Sequence, residues 1–336
     1  MCRAECAMAL MRRRWLSLAA PAEPRTSVIR VLQFNILADS LAEGCTEEAV
    51  QIPPAPHLCE GGAAGCHYHY RSASPVHTFR TSAFNLRWEF RRPKILEIIL
   101  QEKPDIICLQ EVDSFNDIAG VLEGSGYRGS FCKKAWRKIL DGTAVFWHHT
   151  ICCKDIEHVQ LEPNSAMTAA LLRFETSTGK LFVVCSTHLK AGFSMEMEER
   201  RLRQAIMLDK YLAKFTAGSV ATIIAADLNA HHAAYAVCTA QSCCDRQATV
   251  EPKAVTFLYE AGFQPVYQVS SFTAWSGWLD RDVKASLDHI LYRGPVKPRA
   301  VLELPPEEVV CHWPALLPND SWPSDHLHLV ADFELL

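Results

Sequence analysis

Six apolar runs in this chain stop at, or start from, a carboxylate, an amide or an imidazole, and this restricts the fold more than any other feature. Residues 28–38 alternate apolar and polar around Arg30 and Gln33 and carry Asn35 near their end. Residues 105–112 are an apolar run that ends on Glu111, and 181–188 (LFVVCSTH) ends on His188. The run from 220 to 226 is followed by Asp227 and Asn229. Asp288 and His289 open the run at 286–293, and Asp325 and His326 precede the one at 327–335. Alternating or short continuous apolar runs of this length predict half-buried and buried strands. One polar residue at a strand end is ordinarily a cap or a solvated end. Six of matching chemical type point to strand edges that converge on one site.

Further strands are expected at 143–148 and 169–174. Helices are expected at 86–102, with Pro93 starting its regular part, at 196–215 and at 255–261. The long one has Leu202, Ile206, Leu208, Leu212 and Phe215 on its apolar face. Strands dominate and helices separate only some of them. This order fits stacked mixed sheets with helices outside better than a doubly wound parallel sheet. No internal repeat is visible.

The 336 residues are 49% hydrophobic, enough for one large core. The formal net charge is −4, which excludes a protein that holds nucleic acid by overall charge alone. Any such contact must be local to a cleft, or the substrate must be small. The 14 cysteines show no disulfide spacing; Cys108, Cys185 and the Cys152–Cys153 pair sit in strand-like runs. They read as free thiols of an intracellular, cytoplasmic protein. No run is apolar enough for a transmembrane helix, and no protein docking module is recognised, so a monomer is expected. Residues 1–27 carry Arg3, Arg12, Arg13, Arg14 and Arg25 against Glu5 and Glu23. They read as a disordered leader or a mitochondrial transit peptide, with the folded domain covering 28–336. Residues 43–81, rich in Pro, Gly, Ala, Cys and His without a period, read as a surface insertion. The spacing of Cys59, Cys66, His67 and His69 is not that of a standard zinc site, so a surface loop is preferred there.

The convergent set suits phosphoryl chemistry. A hard cation takes oxygen ligands, and Glu111 is the natural first ligand for Mg²⁺ or Mn²⁺. A carboxylate that orients and deprotonates water suits Asp227, with Asn229 expected on the same side of an extended strand. His188, His326 and Asn35 supply donors to a phosphate gaining charge. Asp288 is expected to orient the second nitrogen of His326.

The segments VLQFNILAD, DIICLQEVD, VCSTHLKA, IIAADLNA, SLDHILY and SDHLHLVADF, in that order, resemble the signature of the endonuclease/exonuclease/phosphatase superfamily, the DNase I-like fold. Within it they are most similar to the nocturnin/deadenylase branch, from about Val28 to Phe333. The resemblance implies an α/β fold, a four-layer sandwich of two mixed β-sheets flanked by helices, with the site at one edge. It implies Glu111 as Mg²⁺ ligand and Asn35 as the amide supporting metal and phosphate. It implies His188 and His326 as phosphate-binding histidines, Asp227 with Asn229 as the water-activating pair, and Asp288 as partner of His326. Asp325 is implied as a support for metal or water.

The resemblance also implies substrate-side positions: Lys190 in THLKA, Lys134 two residues before Trp136, Asn164, and Trp275 at the cleft rim. The sequence departs from the branch at Ala226 and Leu228, where Gly and Phe are usual. It departs again at Gly192, Phe193, Ser276 and Gly277, where basic residues are typical; Arg200, Arg201 and Arg203 are candidates to compensate. The resulting expectation is a Mg²⁺-dependent phosphoesterase of the 3′-to-5′ exoribonuclease, deadenylase type acting on an RNA 3′ end. The alternatives are a phosphatase removing the 2′-phosphate of NADP(H), a phosphorylated dinucleotide, and a catalytically silent binding protein.

Overall fold

A computed structural model describes residues 13–18, 28–45, 66–69, 77–216, 220–238, 247–268, 272–277, 282–310 and 316–336. Its frame is two mixed sheets. The first contains β1 (Trp15–Ser17), β2 (Val28–Asn35), β3 (Ile106–Val112), β4 (Tyr127–Lys133) and β5 (Gly142–His148). The second contains β6 (Cys152–Gln160), β7 (Thr168–Glu175), β8 (Leu181–Thr187), β9 (Ala221–Asp227), β10 (Gln264–Pro265) and β11 (Asp288–Arg293). The chain then returns to the first sheet with β12 (Val296–Leu302) and β13 (Leu329–Leu335). The strand orders are β1-β12-β13-β2-β3-β5-β4 and β10-β11-β9-β8-β7-β6.

Only the pairs β2·β3 and β8·β9 are parallel in these two sheets. In each pair the connection carries a helix: α1 (Trp88–Glu102) before β3, and α3 (Met195–Thr216) before β9. A parallel neighbour requires such a crossover. The helices α2 (Phe115–Gly124) and α4 (Lys253–Glu260) complete the outer layers.

Burial follows from this layering. Val31, Cys108 and Val145 of one sheet pack between the sheets with Leu172, Val184 and Ile223 of the other. Phe34 and Leu109 face outward onto Ile95 and Ile99 of α1 and Ile118 of α2. Leu171 and Ile224 pack on Leu208 and Leu212 of α3 and Val255 of α4. Strands covered on both faces lose the period-2 pattern, which is why β9 is buried along its whole length. The four-layer α/β sandwich expected from the sequence is therefore the observed fold.

Several local expectations change. Pro93 lies inside α1, which starts five residues earlier at Trp88. As the sixth helical residue it leaves the Glu89 carbonyl without its intrahelical donor. The folded part begins before Ser27: β1 pairs antiparallel with β12, Trp15 opposite Leu302. Trp15 also lies under the Arg30 guanidinium at 4.0 Å. Residues 15–17 are thus part of the sheet, and residues 1–12 lie outside the described residues. At the roots of the 43–81 segment, Ala42–Cys45 and His77–Ser82 pair in parallel. Cys66–His69 pairs with Tyr235–Cys238. Cys59 and the Cys66, His67 and His69 side chains lie outside the described residues. Cys108 and Cys185 are buried free thiols, whereas Cys152 is exposed because β6 is an edge strand. Among the described residues, no helix is long and apolar enough to cross a membrane.

Candidate active site

Strand direction brings the polar strand ends together. Asn35 and Glu111 lie at the carboxyl ends of parallel neighbours, Asn35 in register with Gln110. His188 and Asp227 occupy the same position in the second sheet, where they bridge in parallel. Asp288 starts an antiparallel strand directly opposite Asp227. His326 precedes β13, which runs antiparallel to β2. All six therefore fall at one edge of the sandwich.

Asp227 is the centre. Its Oδ2 accepts from Asn35 Nδ2 at 2.9 Å and lies 3.5 Å from His188 Nε2 and 3.9 Å from His326 Nε2. Its Oδ1 accepts from the Asn229 backbone N–H at 2.9 Å. The same Asn35 amide also donates to Glu111 Oε1 at 3.1 Å, and Glu111 Oε2 accepts from the Ala38 N–H at 3.1 Å. Asp288 Oδ2 holds His326 Nδ1 at 2.8 Å, as the sequence predicts. Asp325 Oδ2 accepts from Ser276 Oγ at 2.7 Å.

Burial sets the protonation pattern. Removal from water, reinforced by the Asp288 carboxylate, pushes Asp227 up to about 7. Burial works against a charged His326, but Asp288, Asp325 and Asp227 outweigh it and raise its pKa well above the usual imidazole value. Burial and the nearby Lys134, His326 and Lys190 charges drive His188 well below that value. Burial, then the Asp325 charge, raises Glu111. Two imidazoles shifted in opposite directions, His326 up and His188 down, thus face one oxygen of a carboxylate pushed up to about 7.

Asn229 corrects one expectation. It lies past the end of β9 with φ +50°, so it does not continue an extended strand. Its side chain donates to the Leu189 carbonyl at 3.1 Å, tying the His188 loop to the Asp227 loop. Glu111 is also left-handed, at φ +57°. Such a conformation costs a non-glycine residue about 1 kcal/mol or more and is held only by surrounding structure.

The substrate-side positions divide. Lys134 is near enough for its charge to act on Glu111 and His188, and it pairs with Asp141 at 2.5 Å. Lys190 is half-buried, and burial with the Arg200, Lys134 and Arg201 charges lowers its pKa. Trp275 donates its backbone N–H to the Asp325 carbonyl at 2.9 Å, which places its main chain beside the site. Asn164 is exposed on the loop before β7. The proposed compensation by the α3 arginines does not hold for Arg201. It is fully buried, pairs with Glu198 at 2.6 Å and donates to the Lys190 and Gly192 carbonyls. Arg200 and Arg203 are drawn to Glu162, at 3.7 and 3.3 Å.

Two functional contributors were missed. Gln33 Nε2 donates to Asp288 Oδ1 and Gln110 Oε1, both at 2.7 Å, and Gln110 donates to Ser186 Oγ at 3.0 Å. A polar ladder therefore crosses between the sheets and fixes the carboxylate that orients His326. The available signal was a glutamine two residues before Asn35 in β2 and another directly before Glu111 in β3.

Known proteins resemble the chain in sequence and in fold. The chain is 30% identical over 334 residues to human nocturnin, covering 91% of the chain and 65% of that protein. It is 30% identical over 331 residues to Xenopus laevis nocturnin, covering 93% and 73%. Against Drosophila melanogaster nocturnin it is 29% identical over 279 residues, covering 75% of the chain and only 42% of that longer protein. The human nocturnin catalytic domain with bound sulfate has the same fold, with TM-score 0.66, 24% identity and coverage of 97% and 98%. So does ANGEL2, a 2′,3′-cyclic phosphatase, in complex with adenosine-2′,3′-vanadate, with TM-score 0.67, 19% identity and coverage of 96% and 99%. The Endonuclease/Exonuclease/phosphatase family model matches residues 82–326. The chain belongs to that family of phosphoric ester hydrolases, in its nocturnin branch.

Proposed function

We propose that the chain is a Mg²⁺-dependent 3′-to-5′ exoribonuclease that removes nucleotides from an adenosine-rich RNA end. The observation that carries the hydrolytic part is Asp227 Oδ2, ringed by Asn35, His188 and His326. A carboxylate near neutrality takes a proton from water without being too weak a base. His326, held as an imidazolium by Asp288, presents Nε2–H to a phosphate oxygen as charge builds on it. His188, kept neutral, offers a second donor. Asn35 keeps the Glu111 and Asp227 carboxylates in register with each other.

The donor set fits a hard divalent cation. Glu111 and Asp227 are raised carboxylates with like charges beside them, and a cation relieves that accumulation. Asp227, Asp288 and His326 also present donor atoms within 4.8 Å of one another. The hydrogen bond between the last two engages both of them, which favours Glu111 as the resident ligand. Once bound, the ion supplies Lewis-acid stabilisation of phosphate charge.

The choice of RNA over NADP(H) rests on missing charge. Gly192, Phe193, Ser276 and Gly277 supply no cation, and Arg201 is consumed by Glu198. The second reading, a 2′-phosphatase for NADP(H), is favoured by Lys134 and Lys190 beside His188. A silent binding protein is disfavoured by the intact Glu111, Asp227 and His326 set. Incubation of the purified chain with oligo(A), mixed RNA and NADP⁺ under one Mg²⁺ condition tests the assignment. Release of AMP from oligo(A) at a higher kcat/KM than NAD⁺ formation is expected. NAD⁺ formation without AMP release overturns it.

A further inference from the structure

The turn between β4 and β5 has a chemistry that the hydrolytic site does not use. Residues 133–138 read KKAWRK, four cations in six positions around one tryptophan, in a chain whose net charge is −4. Trp136 is 52% exposed, and Lys133, Arg137 and Lys138 are exposed as well. Lys134 is the one cation of the four with an ion pair among the described residues, to Asp141.

The turn is built. Ile139 N–H donates to the Trp136 carbonyl at 3.0 Å, which puts Arg137 and Lys138 at the centre of a tight turn. Its root is fixed by Lys134 N–H to the Asp141 carbonyl at 3.2 Å and Ala135 N–H to the Ala166 carbonyl at 2.9 Å. At Gly142 a Cβ would lie 2.4 Å from the Cys132 carbonyl oxygen, so the strand after the turn closes on glycine.

The turn is also at the right edge. Gly142 pairs with Val112, the residue after Glu111, and the Lys134 charge reaches Glu111 and His188. A large exposed indole is costly to leave in water without a use. Flanked by these exposed cations, it matches the stacking platforms that hold single-stranded nucleic acid, where a base lies on the ring and phosphates lie on the cations.

We propose that Trp136, with Lys133, Arg137 and Lys138, is a docking platform for single-stranded RNA upstream of the scissile end. A base stacks on the indole and the following phosphates lie on the turn cations. The inference rests on the nuclease reading above, because only a strand carries further bases upstream of the end being cleaved.

The test uses the full chain carrying Asp227→Asn to prevent cleavage, with fluorescein-labelled oligo(A) read by anisotropy. Trp136→Ala is expected to weaken binding about tenfold, while Trp136→Phe keeps most of the affinity. Arg137→Ala/Lys138→Ala is expected to flatten the log–log salt slope by about 1.4, because two phosphates of a single strand are no longer neutralised. In the cleavage-competent chain, hydrolysis of bis(p-nitrophenyl) phosphate by Trp136→Ala stays at the parent level. Unchanged oligo(A) binding in Trp136→Ala or in the double variant overturns the platform. So does a parallel loss of bis(p-nitrophenyl) phosphate hydrolysis, or tighter binding to phosphatidylserine vesicles than to oligo(A). Trp136-dependent binding without AMP release from the cleavage-competent chain leaves the platform standing and removes the exoribonuclease reading. AMP release that ignores Trp136 does the reverse.

Discussion

Asp288 faces two partners with its two oxygens: Oδ2 holds His326 Nδ1 at 2.8 Å, while Oδ1 accepts from Gln33 at 2.7 Å. The imidazole is thereby turned so that Nε2 points toward Asp227, and its aim is set from inside the sandwich. Asp288→Asn is expected to lower kcat by about 10²–10³-fold with a small change in KM. Gln33→Leu leaves the carboxylate in place but unsupported, and about a tenfold loss is expected. Steady-state kinetics on oligo(A) with circular dichroism as a folding control check both.

Glu111→Ala removes the raised carboxylate but leaves Asp227 and both histidines. The apparent Mg²⁺ requirement should rise at least tenfold, with activity partly recovered at high Mg²⁺. A Mg²⁺ titration of rate that shows equal loss at all concentrations would contradict the ligand role.

The pH–rate profile follows from two opposite shifts. Asp227 must be ionised to accept a proton, so kcat is expected to rise with pH through about 7. His326 must stay protonated, and its pKa is raised well above the ordinary value, so the falling limb lies on the alkaline side. In Asp227→Asn the acidic limb should vanish together with nearly all turnover.

Arg201 and Glu198 form an ion pair with almost no solvent contact. Removing one partner strands the other charge in the core, so Arg201→Ala is expected to cost about 3–5 kcal/mol. It also releases the Lys190 and Gly192 carbonyls, so KM should rise in whatever molecules still fold. Arg203→Ala, on an exposed side chain, should cost less than about 0.5 kcal/mol. Urea denaturation of the two variants gives the comparison.

His328 is buried, and burial followed by the Arg13 charge drives its pKa well below the ordinary value. Between the folded value and about 6.5, the unfolded chain binds a proton that the folded chain does not. Stability is therefore present above about pH 6.5 and is lost as pH falls below it. His289, depressed by burial and by His232, adds to the same loss. Thermal melts from pH 7.5 to 5.0 should show a falling Tm, and His328→Phe should flatten the slope.

The sequence showed the site better than its surroundings. Buried strands ending in LQE, STH and ADLN carry both an apolar run and a functional terminus, so Glu111, His188 and Asp227 stood out. The missed elements had weak local signals. β6 (CCKDIEHVQ) is an exposed edge strand rich in charge. β12 contains Pro298, and α2 contains Gly120 and Gly124, residues with poor propensity that tertiary packing overrides. Gln33 looked like the polar half of an alternating strand; only the second sheet shows that it faces Asp288. The fate of Arg201 was hidden for the same reason. A charged residue on an amphipathic helix reads as solvated until its neighbour Glu198 is seen to be buried with it.

The first sheet has its last strand in its middle: Val28 in β2 pairs with Glu334 in β13. During synthesis, β2 waits for a neighbour made roughly 300 residues later, on the order of 15–60 s of translation. His326 joins Asn35 beside Asp227 only when the segment leading into β13 is in place. The nascent chain therefore holds only part of the candidate site for as long as that strand is unmade, even after Glu111, His188 and Asp227 have left the ribosome.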